Sequence, residues 1–473
     1  MKKNRALIFK CGFCGHEEPK WLGRCPECGE WNSLVETAVS AAVLQRTEGD
    51  PKNRPRSLPL SSVDPQEGSR ISSGLPELDR VLGGGIMKRS AVLLGGEPGI
   101  GKSTLLLQAA AAADTRGRVL YISGEESAGQ LRMRADRLGL GPQSGRIEVC
   151  CTGALADITP ILEAVKPVLV MADSAQTLHT DEAGPAPGTV NQMKFCSYEL
   201  ISWVKEHDAA LFLAAHVTKD GLISGPKTLE HMVDTVLYFE QSENRGAQGD
   251  CRFLRAVKNR FGSVDEIGIF MMGEKGLSMA SDPSLLFLVR REGTLPPGVA
   301  TAAVLEGSRT LLVEIQVLTV PVKGSMSRVF SGSIDLPRVS RVAASLEKHL
   351  SLRLSDQDIY VNVAGGIRIT EVGVELALAA ALYSARTGLP LPGGTAIAGE
   401  LSLTGELLPI RRLAGRIKTA RGLGFNRFVG PSPASEGEGP GGLENAADIK
   451  SAVKILFAGE QKPQTPRTKA GSL

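Results

Sequence analysis

Apolar runs that stop abruptly on a polar or glycine residue organise the middle of the chain. Ala91 to Leu94, Arg118 to Ser123, Pro167 to Asp173 and Leu211 to His216 each read as a short buried strand, and Arg252 to Val257 reads as another. Ser103 to Ala113, rich in Leu, Gln and Ala, predicts a helix directly after the first of them. Beyond Ser281 the pattern changes to alternation. Thr310 to Val317 and Asp358 to Val363 read as half-buried strands, interleaved with helices at Ser340 to Leu350 and Val374 to Thr387. From Thr37 to about Ser61 the pattern lapses into Ala, Ser and charge, with Pro51, Pro55 and Pro59 forbidding regular structure, as in a linker. The fold class expected is α/β, a mainly parallel twisted sheet with flanking helices, followed by an α+β domain.

The joint between the first strand and its helix carries the most specific chemistry. Gly95-Gly96-Glu97-Pro98-Gly99-Ile100-Gly101-Lys102-Ser103-Thr104 fits the phosphate-loop pattern, with Gly96 opening it and Gly101-Lys102-Ser103 closing it. Glycines let successive N–H groups point at phosphate oxygens, and the helix start adds its dipole. Lys102 can reach the β- and γ-phosphates and the Ser103 hydroxyl can sit on Mg²⁺. The chain is expected to bind ATP.

The other strand ends supply candidate partners for that loop. Gly124-Glu125-Glu126 places two carboxylates where one can polarise the attacking water, although a pair of helix-capping acids fits the same position. Asp173 closes an apolar run in the Walker B manner and is the second candidate Mg²⁺ ligand. His216 is a candidate γ-phosphate sensor, with a plain structural role as the alternative. Two loops, Asp181 to Val190 and Lys219 to Lys227, are candidate effector or substrate contacts, or simple surface loops. Lys258 and Arg260, at the exit of a strand, can stay on their own protomer, reach a neighbour's γ-phosphate as an arginine finger does, or be merely solvated.

Composition and charge narrow the class. Net charge of +3 is too small to argue nucleic-acid binding alone, and 42% apolar residues is ample for real cores. Aromatics at 4% argue against extensive base stacking. No apolar run is long enough to span a membrane, so no membrane partner is expected, and the cysteine usage points to a reducing cytoplasm. Of eight cysteines, Cys11, Cys14, Cys25 and Cys28 form two Cys-x-x-Cys-Gly knuckles, and the rest are scattered. Paired knuckles point to a closed, structural Zn²⁺ site, with a pair of redox motifs as the competing reading. A module this small needs the metal to fold, and His16 beside it is read as a bystander.

These stretches resemble the RadA (Sms) family of the RecA superfamily, from about Leu7 to Phe457. The resemblance rests on the four-cysteine module, the phosphate loop, Ser123-Gly-Glu-Glu-Ser127, Asp173-Ser-Ala-Gln-Thr177, His216-Val-Thr-Lys219 and above all Lys258-Asn259-Arg260-Phe261-Gly262. It implies a RecA-like core, and a DNA-stimulated ATPase of recombinational repair that acts on single-stranded and branched DNA. It further implies a hexameric ring driving branch migration, alongside recombinase or replicative helicase machinery. Met87-Lys-Arg89 departs from the Val-Pro-Gly usual in similar proteins.

Asp358 to Gly424 resembles the proteolytic domain of Lon proteases, including Gly399-Glu-Leu-Ser-Leu-Thr-Gly405. Val374 stands where that pattern has its serine, and Ala414 where it has its lysine, so no Ser–Lys dyad exists and no protease is expected. Arg411, Arg412, Arg416, Lys418 and Arg421 fall at spacings that put several on one helical face, fit for phosphate contacts or for solvent. The organisation expected is a zinc finger at 1–36, a linker at 37–60, the ATPase at 61–282, a Lon-like domain at 283–460 and a disordered tail at 461–473. A regulatory ATPase acting on protein clients is the alternative function.

Overall fold

The structure, a computed structural model, describes residues 7–12, 14–18, 20–38, 59–62, 69–184, 188–216, 228–241, 250–279, 286–289, 291, 295–322, 327–433 and 442–458. Most of the expected linker, the expected boundary after residue 282 and the tail lie outside the described residues. The chain forms two compact units, residues 1–67 and 68–473.

In the first unit three antiparallel strands form a small sheet, with Leu7–Cys11 between Glu17–Glu18 and Leu34–Ala38. The third strand runs through Ala38, paired with Leu7, two residues past the end read from sequence. Among the described residues its core is Cys11, Cys25 and Leu34 with Phe9 beside them, too little for apolar burial alone to hold it.

Among the described residues the second unit is built on two large sheets, with two small two-stranded ones beside them. The larger has nine strands, and six of them are parallel. In spatial order these are Ile147–Cys150, Val119–Ser123, Leu169–Asp173, Ala210–His216, Ser90–Gly96 and Thr235–Gln241. Antiparallel strands Asp250–Asn259, Ile267–Gly273 and Gly276–Met279 extend it. The central strand is buried along its whole length, which explains its unbroken apolar sequence. Val92 and Leu94 point into the layer of helix Lys102–Ala112, and Ala91 and Leu93 into the layer of helix Val190–Glu206. The fold is therefore mixed α/β with a parallel-rich sheet covered on both faces.

The second sheet has seven strands in the order Val329–Ser331, Gln357–Val363, Arg309–Pro321, Val299–Glu306, Thr395–Ile397, Arg427–Gly430 and Leu443–Asn445. Helices Leu336–Leu350 and Glu375–Thr387 cover one face and Leu413–Gly422 part of the other. The first of these starts four residues before the sequence reading, because Asp335 caps it through the Arg338 amide at 3.1 Å and Pro337 suits its first turn.

The two sheets share a core. In strand Asp250–Asn259, Cys251 and Phe253 pack with Val313, Ile315, Val339 and Leu376 from the C-terminal half, while Leu254 and Ala256 pack into the ATP-loop layer. Ile267 and Ile269 join the first group and Phe270 the second. Glu77, buried, adds a bidentate pair to Arg309 at 2.8 and 2.6 Å and accepts the Ile269 amide at 2.9 Å.

Candidate functional site

The four N-terminal cysteines converge. Sγ of Cys11 lies 3.6 Å from that of Cys28, and Sγ of Cys14 3.5 Å from that of Cys25. All four lie within 4.8 Å of one another. Thiolates around a tetrahedral Zn²⁺ at a Zn–S distance of about 2.3 Å stand about 3.8 Å apart, so the donor set fits the ion. Each knuckle turns on a left-handed glycine, Gly15 at φ 78° and Gly29 at φ 74°, whose amide bonds back to the first cysteine's carbonyl. The Glu30 amide pulls the Cys28 thiol down, but desolvation and the sulfurs of Cys14, Cys25 and Cys11 push it up to about 12. Sulfurs this crowded become thiolates together only around a cation. His16 turns away to Glu18 at 3.1 Å.

Strand Ser90–Gly96 delivers the phosphate loop. Gly96 lies against strand Thr235–Gln241, where a Cβ would come within 2.7 Å of the Phe239 carbonyl. Gly101, at φ 113°, begins the helix with Met272 in the place a Cβ would occupy. Gly95 and Ile100 are buried, Glu97, Pro98 and Gly99 are exposed, and Ser103 and Thr104 are half-buried in the helix's first turn. The Lys102 ammonium is buried and donates to the carbonyls of Gly96 at 2.8 Å and Glu97 at 3.0 Å. Burial pulls its pKa down to about 8, against the opposing pull of Asp173 and Glu125. The loop has a further holder that the sequence reading passed over. Arg252, a buried cation paired with Asp250 at 2.8 Å, donates to the Ile100 carbonyl at 3.0 Å.

The strand-end groups assemble beside Lys102. His216 Nδ1 lies 3.3 Å from Lys102 Nζ, and His216 Nε2 lies 3.6 Å from Glu125 Oε1. That same Oε1 accepts the Ser174 hydroxyl at 2.8 Å. Asp173 accepts the buried Tyr121 hydroxyl at 2.9 Å, and burial with the Asp173 charge holds that phenol well above its usual range. The Asp173–Ser174 peptide bond is cis. Glu126 departs from its neighbour: it is held by Arg134 in an ion pair and its amide bonds Ser123 Oγ at 3.0 Å. Neither glutamate caps the next helix. Ser127 does, in a capping box with Gln130. Of the two candidate loops, 219–227 and residues 185–187 lie outside the described residues, while Thr180 and Gln192 clasp the start of the other at 2.8 Å in both directions.

The Lys258-to-Gly262 motif sits at the opposite end of the parallel strands from the phosphate loop. Asn259 and Lys258 pair with Thr235 and Val236, which pair with Val92 and Leu93. From Val92 to Gly96 along the strand is about 13 Å at the usual rise. Lys258 donates at 2.7 Å to the carbonyls of both Glu230 and Val233, beside the short helix Thr228–Met232. Burial, then the Arg260 charge, pulls its pKa below the ordinary value. Asn259 bonds the Val81 carbonyl at 3.1 Å, Phe261 gives its carbonyl to Arg70 at 2.6 Å, and Gly262 lies against Gly83. Arg260 has an exposed side chain, 58%, and reaches Asp234 at 3.2 Å.

The C-terminal positions are filled differently. Val374 is fully buried and Ala414 lies in helix Leu413–Gly422. One expectation for that helix fails. Arg416 is fully buried, bonded at 2.9 Å to each Glu371 oxygen and at 2.7 Å to the Ala303 carbonyl, so it is a core residue and offers nothing to a phosphate. Arg411, Arg412, Lys418 and Arg421 remain exposed. No helix among the described residues is long and apolar enough to cross a membrane.

A family model described as rubredoxin metal binding domain matches residues 9–36, and one described as AAA domain matches residues 54–222. The chain is 55% identical to the DNA repair protein RadA of Treponema pallidum, covering 91% of this chain and 93% of that one. It is 41% identical to that of Bacillus subtilis, over 95% and 98% of the two chains, and 43% identical to that of Brucella abortus, over 92% and 94%. A solved KaiC-like protein from Pyrococcus horikoshii aligns with 44% of this chain and 98% of its own, at 19% identity and a TM-score of 0.37.

Proposed function

This chain belongs to the RadA family of DNA repair proteins, and on that premise we propose a DNA-dependent ATPase that processes recombination intermediates. It drives branch migration of strand-exchange products by translocating on single-stranded and branched DNA as a hexameric ring. The observation that carries the reading is the cluster of Lys102, His216, Glu125 and Asp173 around one phosphate loop at the ends of parallel strands.

The loop glycines and Lys102 hold the triphosphate. Glu125 is the base that orients and activates water, because its carboxylate faces His216 and Lys102. Glu126 is instead committed to Arg134 and organises the turn. Asp173 and Ser103 hold Mg²⁺, which supplies neutralising charge to the phosphates when bound. His216, in contact with both Lys102 and Glu125, senses whether the γ-phosphate is present. Arg260 acts on a neighbouring subunit's nucleotide, since its strand end lies away from the protomer's own loop. Lys258 supports it from within, through the carbonyls of Glu230 and Val233.

ATP turnover of the purified protein tests the reading. Single-stranded DNA should raise it and casein should not; stimulation by casein alone would favour a client-protein ATPase. Arg260→Ala and Lys102→Ala proteins, each nearly inactive, should regain some activity when mixed. Mixed rings without recovery would place Arg260 on DNA or within its own chain.

A further inference from the structure

We propose that Ser174 is a positioning residue for ATP hydrolysis, holding the base Glu125 in line with His216 and Lys102. The inference rests on the assignment of Glu125 as the base. The Glu125 side chain is half exposed, so nothing in its packing would keep its carboxylate in one rotamer. Ser174, 1% exposed, has no such freedom, and its Oγ donates to Glu125 Oε1 at 2.8 Å.

The support behind Ser174 is itself fixed. Its carbonyl accepts the Thr177 hydroxyl at 2.8 Å and the Thr177 amide at 3.2 Å. The Thr177 side chain packs so closely on Gly124 that a Cβ there would lie 2.1 Å from its Oγ1. The turn after Ser174 is thus pressed against the residue before Glu125, and the Gly124 amide bonds the Asp173 carbonyl at 3.1 Å. Both the Ser174 and the His216 contacts fall on Oε1, which leaves Oε2 for the attacking water. In the hydrolysis step that water gives a proton to Oε2 as its oxygen bonds the γ-phosphorus and ADP leaves.

Neighbouring Asp173 has a tether of its own. The Tyr121 hydroxyl, fully buried, takes one of its oxygens. Two adjacent residues therefore anchor through separate bonds, so Glu125 and Asp173 are kept from exchanging roles although both are carboxylates within reach of Lys102. A Ser is required at 174 for its donor, not for its size.

Single-turnover hydrolysis and equilibrium ATP binding by the full chain with DNA test this. Ser174→Ala should slow hydrolysis by roughly 10- to 100-fold, the scale of a base displaced by about 1 Å, while ATP affinity stays within about twofold. Ser174→Thr, which keeps the hydroxyl, should hydrolyse faster than Ser174→Ala. In a Glu125→Gln background, adding Ser174→Ala should cost nothing further, because the group it positions is gone. Normal hydrolysis by Ser174→Ala, lost ATP binding in that variant, or losses that multiply in the double variant would each overturn the proposal. Normal hydrolysis by Glu125→Gln would instead overturn the assignment of the base itself.

Discussion

Helix Lys102–Ala112 begins after a loop of exposed residues, Glu97 to Gly99, whereas helix Glu375–Thr387 begins at Val374 and Glu375, both fully buried. Each follows a glycine-bearing turn beside a sheet. At the second start every charge is closed on a partner. Glu375 is paired with Arg341 and accepts the Leu401 amide at 3.0 Å, and Glu371 is closed on Arg416. At the first start the Lys102 ammonium rests on the Gly96 carbonyl and His216, bonds that a phosphate can replace, with the charges of Asp173 and Glu125 acting on it. Chemistry thus resides in polar groups left open to a ligand, and not in the strand–turn–helix frame that both places share.

The comparison breaks most visibly at the open site. Lys102→Ala should leave a folded protein while ATP turnover falls by about 1000-fold or more, since a charge on the transferred phosphoryl is among the larger catalytic contributions. Near-normal turnover would mean that the exposed loop is as inert as the buried one. At the closed site the effect should be on stability. Arg416→Ala strands Glu371 and removes a bond from the Ala303 carbonyl, a loss of about 3–5 kcal/mol. Denaturant unfolding should show it, with ATP turnover per folded molecule little changed below the transition. An unchanged midpoint would show that this pair is not structural.

The smallest effect sharpens the contrast by pH. Burial holds Lys102 at about 8, so the free protein loses this ammonium as pH rises through that value. ATP binds the charged form. Affinity should therefore be flat below about pH 8 and fall towards tenfold per pH unit above it, as proton uptake becomes part of binding. Titration with a non-hydrolysable analogue from about pH 7 to about pH 9.5 measures it, and Lys102→Arg should remove the slope. A slope retained in Lys102→Arg would place the titrating group elsewhere.

What could be read beforehand follows from how local each signal is. The phosphate loop and the cysteine module are each written in residues close together in sequence, and the four sulfurs converge on one point as their spacing demands. The choice between Glu125 and Glu126 was not legible, because it depends on Arg134 in the next helix and on Ser174 at the end of another strand. Arg416 misled for a related reason. Its position on the helix looks like that of Arg412 or Lys418, and only Glu371, far away in sequence, shows that it faces inward. The His216 ring ended an apolar strand, a visible oddity whose meaning needed the neighbouring loop, while Arg252 looked no different from Arg255 until Ile100 was placed beside it.

Strand Asp250–Asn259, with Phe253 on one side and Leu254 on the other, bears on how the protein is made. When a ribosome has completed this strand and Ile267–Gly273, the residues meant to cover Cys251, Phe253, Ile267 and Ile269 are still unsynthesised. Helix Glu375–Thr387 emerges roughly 100 residues later, some 5–20 s at usual elongation rates. For that interval the nascent ATPase sheet displays an apolar face to the cell. A chain stopped between the two halves would keep that face exposed for its lifetime, so the C-terminal half serves the nucleotide sheet as a cover.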